Sequence, residues 1–127
     1  MIALIASIVV ALAGLLHGYI FLMESVWWTR PRDLEAVRRR RPGSGRHDAA
    51  DGVQPGFYNL FLGIGAIVGL VLFWAGAEDV GKALVLFTTA CMTLAAAVLT
   101  TTGPGYLKPA VIQGTLPLIG FVLFLFA

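Results

Sequence analysis

Four long apolar runs, at about residues 2–23, 57–75, 82–101 and 109–126, constrain this chain more than any other feature. Each has roughly the 17–25 residues that a helix needs to cross ~30 Å of hydrocarbon. Lipid offers no partners to bare backbone amides, so only helices and closed barrels span it. None of the runs alternates polar with apolar residues, as barrel strands do. The sequence therefore predicts an all-α, integral membrane four-helix bundle forming a single domain over residues 1–127. Its helices are expected at about 2–28, 57–75, 82–101 and 109–126. Composition agrees, since 58% of the 127 residues are hydrophobic and 13% are charged. A soluble domain of this size could not hide so much apolar surface.

The first run resembles a secretory signal only superficially. It has no charged leading segment, and its apolar stretch is too long for one. We read it as a retained first span. Cys91 is the only cysteine, which excludes a disulfide framework or a cysteine-based metal site within one chain.

Charge is concentrated in one loop, at about residues 30–56. It holds Arg30, Arg32, Arg38, Arg39, Arg40, Arg41 and Arg46. The second loop holds Glu78 and Asp79, with Lys82 at its edge, and the third holds Lys108. The positive-inside rule places the basic first loop in the cytoplasm and both the N-terminus and the C-terminus outside. Trp27, Trp28 and Tyr106 then mark the inner interface and Trp74 the outer one. A basic balance can signal nucleic acid, but beside a membrane it reflects topology and anionic lipid. No nucleic-acid partner is expected. Arg38, Arg39, Arg40 and Arg41 are lipid-headgroup candidates, each attracted by roughly 1 kcal/mol near an anionic surface; a solvated topology signal is the plainer alternative. Pro31, Asp33 and Glu35 ahead of these arginines, with Pro42 and Gly43 after them, predict a short surface helix over 31–41. Residues 43–52 read as a linker. His47, Asp48 and Asp51 within it are metal ligands by type only, so no metal site is assigned.

Glu24 stands out, because it follows an almost uniformly apolar run and precedes the first arginine. An ionisable group at such a depth reaches the headgroups or finds partners between helices. Asn59 lies just inside the start of helix 2 and Gln113 one turn into helix 4. Thr100, Thr101 and Thr102 close helix 3 on the same side. All are expected in one layer within ~6 Å of the interface. His17 precedes Glu24 by two turns, so it shares that face ~10 Å deeper. Pro117 removes the helical donor to the Gln113 carbonyl. Tyr58 completes the candidate ligand- or ion-binding set of Glu24, Asn59, Gln113, His17 and Tyr58, with an interfacial anchor as its plainer reading. Glycine pairs Gly14/Gly18 and Gly65/Gly69 allow close helix approach. Gln54-Pro55 to Asn59 and Lys108-Pro109 to Gln113 also form a faint parallel repeat, each with an amide four residues after a proline.

Several of these motifs together resemble a known family. They are His17-x-Tyr19, Phe21-x-x-Glu24, Gln54-Pro55-Gly56-Phe57-Tyr58-Asn59-Leu60-Phe61-Leu62 and Gln113-Gly114-x-x-Pro117. They are similar to the domain-of-unknown-function family thirteen-oh-four, a group of small bacterial four-helix membrane proteins. The family pattern has Asn-Gln-Gly where this chain has Gln54-Pro55-Gly56, and the arginine loop here is longer. The resemblance implies a fold and a bacterial cytoplasmic (inner) membrane location, but no activity.

Three functions fit the residues. The first is binding or transport of a small solute, an ion or protons through a polar intramembrane pocket, as a homo-oligomer. The second is a non-catalytic accessory or assembly subunit of a larger membrane complex, its polar layer fixing helix register. The third is a membrane-embedded enzyme acting on lipid or quinone. The sequence contains no nucleophile–base pair, ligand quartet or phosphate loop to support it, and no cofactor is expected.

Overall fold

The computed structural model describes residues 1–27 and 47–127. Within them lie four long helices, which we label α1 (Ile2–Phe21), α2 (His47–Trp74), α3 (Glu78–Leu99) and α4 (Leu107–Leu125). A π-helical segment, Leu22–Trp27, continues α1, and a 3-10 turn, Pro104–Tyr106, leads into α4. Among the described residues there is no strand. Four spans among the described residues are long and apolar enough to cross a bilayer: Ile2–Val26, Gly56–Trp74, Glu78–Leu99 and Pro104–Leu125. The chain is a multi-pass membrane protein. The anticipated surface helix over 31–41, with Arg38 to Arg41, and Trp28 lie outside the described residues.

Three helix starts differ from expectation. α2 begins at His47 rather than near 57, so residues 47–56 are helical where the end of the first loop, with a linker over 43–52, was expected. Ala49 and Ala50 are strong helix formers, and Asp48 and Asp51 suit the positive end of a helix dipole. Hydropathy sees only the part of that helix inside the membrane. α3 begins at Glu78, not 82, for the same reason: Glu78 and Asp79 occupy its first turn. α4 begins at Leu107, two residues early, because the Pro104–Tyr106 turn hands directly to it.

The helices pack in chain order, each against the next, and α4 closes against α1. Small residues set the distances at the seams. A Cβ at Gly63 would lie 2.8 Å from the Gly14 carbonyl oxygen, so α1 and α2 meet backbone to backbone. Gly81 sits directly on the Phe73 backbone across the α2–α3 seam. A Cβ at Gly114 would lie 2.7 Å from the Ala96 side chain, and one at Gly120 2.7 Å from Val10. The turn joining α2 to α3 is sharp because Gly76 adopts φ 97°, and the Ala77 amide bonds back to the Leu72 carbonyl at 3.0 Å.

The core is apolar through the middle and toward the end that holds residue 1. Ala6, Val10, Ala13, Ala66, Leu70, Val85, Met92 and Phe124 form one cluster. The Phe73 and Phe124 rings meet edge to face, 5.3 Å apart. Most large apolar side chains point outward instead, as lipid-facing helices require.

Candidate functional site

Glu24 lies in the π-helical segment that ends the first span. Such turns are uncommon, and they occur often at functional sites. Their wider i→i+5 geometry turns the following side chains away from the path an α-helix would give them. Asn59 lies in the first membrane turn of α2, three residues after Gly56. Gly56 makes the approach possible, because it packs directly on Ser25 with no side chain between, and the Glu24 Cβ lies beside it.

The two polar side chains meet. Asn59 Nδ2 donates to Glu24 Oε2 at 3.2 Å. Both residues are half-buried. Helical side chains lean toward their helix N-terminus, so Glu24 leans inward and Asn59 outward along antiparallel helices. That lean lets residues at different heights reach each other. The bond spends one lone pair of the carboxylate, which has about four. A carboxylate and an amide in lipid-flanked surroundings hold hydrogen-bonding capacity that a solute can use.

Among the described residues His17 is the largest buried polar side chain, 1% exposed. Its Nδ1 is 2.9 Å from the Ala13 carbonyl oxygen. A carbonyl only accepts, so Nδ1 carries the proton, and in the neutral ring Nε2 is left as an acceptor. The His17 Cβ lies against Gly63 of α2, next to the α1–α2 contact.

The remaining candidates are placed elsewhere. Gln113 is half-buried on α4, and among the described residues no hydrogen bond joins it to Glu24 or Asn59. Thr100, Thr101 and Thr102 are exposed and donate to their own helix at Ala97, Val98 and Leu99. Of the expected layer, the side-chain hydrogen bond seen between helices among the described residues is the one that joins Asn59 to Glu24. Tyr58 is 68% exposed and faces outward, which suits an interfacial anchor and not a ligand. An apolar groove of about 560 Å³ runs between α1 and α2, beside Gly18, Leu22, Leu60 and Ile64. None of the five candidate residues lines it, so it is not the polar pocket that the sequence suggested.

One polar pairing was not anticipated. Trp74 Nε1 donates to Ser7 Oγ at 3.0 Å, and Ser7 Oγ donates to the Ala3 carbonyl at 2.7 Å. It clips α1 to α2 at the end opposite Glu24. A serine near the start of one span and an indole at the end of the next share a depth in antiparallel helices, and that match was readable in advance.

A model of one protein family, described as a protein of unknown function (DUF1304), matches residues 11–125. No curated protein and no solved structure matches the chain.

Proposed function

The chain belongs to the DUF1304 family, and from that premise we propose that it binds a small polar solute, an ion or a proton donor at the Glu24 end of the bundle. The reading is supported by one observation above all: the interhelical hydrogen bond from Asn59 to Glu24. An amide pair would hold two helices in register equally well. A carboxylate so near hydrocarbon is expensive, and such residues usually mark a pathway or a ligand. Glu24 is the titratable group and Asn59 its orienting amide. The apolar core beyond His17 opposes passage through one bundle, so a carrier would work as a homo-oligomer, with its path between protomers. The membrane is the bacterial cytoplasmic one, with both termini outside and the basic segment inside.

The test is Glu24→Gln in lipid nanodiscs with methylammonium as the probe. Binding should weaken at least tenfold, with helix content unchanged. Equal binding by the variant would overturn the reading.

A second reading is favoured by the Trp74–Ser7 bond, which clips the same two helices at their other end. In it the polar pairs only fix register, and the protein is an accessory subunit of a larger membrane complex. Full function of Glu24→Gln in cells, with a stable partner recovered alongside it, would favour this alternative. An enzyme acting on lipid or quinone ranks last, because the sequence offers no nucleophile–base pair, ligand quartet, phosphate loop or cofactor motif beside Glu24 and Asn59.

A further inference from the structure

We propose that the Glu24–Asn59 pair selects a primary ammonium group, R–NH3+, over anions, bare metal ions and quaternary amines of the same charge. The inference rests on the reading of this pair as a binding site, and it names the class of ligand that the site takes.

The direction of the interhelical bond decides what is left over. An ionised carboxylate only accepts, so Asn59 turns its NH2 group toward Glu24. The amide oxygen, Oδ1, is then on the other branch and remains an acceptor. Glu24 keeps Oε1 and a second lone pair on Oε2. Among the described residues, no other hydrogen bond joins either side chain to a partner. The pair therefore offers one negative charge and two further oxygens, against a single remaining amide hydrogen. The threonines at this end add no donors, because Thr100, Thr101 and Thr102 give their hydroxyl protons to their own helix.

No described lysine neutralises the charge. Lys82 bonds to the Ala127 backbone oxygen at the opposite end of the bundle, and Lys108 is exposed. Access needs no enclosed cavity. Glu24 and Asn59 are both half-buried, so each keeps part of its surface open. Glu24 is two residues from the end of its span at Val26, ~3 Å along the axis. A ligand reaches the pair from the interface and leaves the rest of its body there.

The number of acceptors narrows the class. Calcium and magnesium take about six oxygens, a shell that two side chains do not build. A primary ammonium carries three N–H donors on one nitrogen. One can meet the carboxylate and another the Asn59 oxygen, with the third left to water or a headgroup. Charge-assisted bonds of this kind are roughly twice as strong as neutral ones. A quaternary ammonium has the same charge and no N–H, so it forfeits them. An anion meets the carboxylate and is repelled.

The experiment titrates the full chain in lipid nanodiscs with methylammonium, tetramethylammonium, sodium and acetate, each against wild type and Glu24→Gln. Methylammonium should bind wild type at least tenfold tighter than the other three. Asn59→Leu should weaken methylammonium severalfold and leave tetramethylammonium within twofold, with helix content unchanged. The comparison of probes on wild type decides the matter even if that variant fails to fold. Equal, Glu24-dependent binding of tetramethylammonium or sodium would show attraction by charge alone; it overturns the selection of N–H donors and leaves the site standing. Glu24-dependent binding of acetate in place of the cations does the same. No Glu24-dependent binding of any probe overturns both the selection and the site.

Discussion

At the scale of single residues, the glycines show how little slack the bundle has. Gly81 lies against the Phe73 backbone, whereas a Cβ at Gly18 would meet nothing within 4 Å. Gly81→Ala should destabilise the bundle by ~1–3 kcal/mol, because backbone cannot move aside. Gly18→Ala should be neutral or stabilising by up to ~1 kcal/mol, from helix propensity alone. Denaturant titration in mixed micelles reads both, and a harmless Gly81→Ala would contradict the close α2–α3 contact. The Glu24–Asn59 bond is a smaller effect. A double-mutant cycle of Glu24→Ala and Asn59→Ala should return a coupling of ~0.6 kcal/mol, the average for interhelical bonds in membranes. No coupling would mean that the two side chains do not meet in the membrane.

At the scale of elements, the Trp74–Ser7 clip gives a second cycle. Trp74→Phe keeps the ring and removes the donor, and its loss should match that of Ser7→Ala to within ~0.5 kcal/mol, with the double variant no worse than either single. Additive losses would show that the bond contributes nothing. These elements also mark where sequence sufficed. Helix number and span came directly from hydropathy, because lipid leaves a long apolar run one solution. Helix starts did not: the first turns of α2 and α3 are polar, stabilised by alanine propensity and acidic first turns, and hydropathy discards such residues. Glu24 and Asn59 could be paired by depth counted from the interface. Gln113 could not, because counting assumes equal starting heights, and the Pro104–Tyr106 turn begins α4 on its own terms. The Gly114–Ala96 contact fixes its level, about one turn inside Thr100. The exposure of Tyr58 agrees with its plainer reading as an interfacial anchor.

At the scale of the whole molecule, the ring of helices divides the chain between two ends. The α2–α3 turn shares an end with residue 1, and Glu24 shares the other with the α3–α4 turn. In a Cys91→Ser background, Ala77→Cys and Thr101→Cys should react with a membrane-impermeant thiol reagent from opposite sides, Ala77→Cys from outside. Labelling of both from one side would break the bundle topology. The two ends also differ electrically. The apolar cluster from Ala6 to Phe124 admits no counter-ions, so most of the membrane voltage must fall across it. A cation beside Glu24 sits at the edge of that drop and feels almost none of it. Whatever binds at Glu24 would thus be held almost equally at every resting potential, whereas carrying one charge the rest of the way across would involve roughly 2.3 kcal/mol per 100 mV.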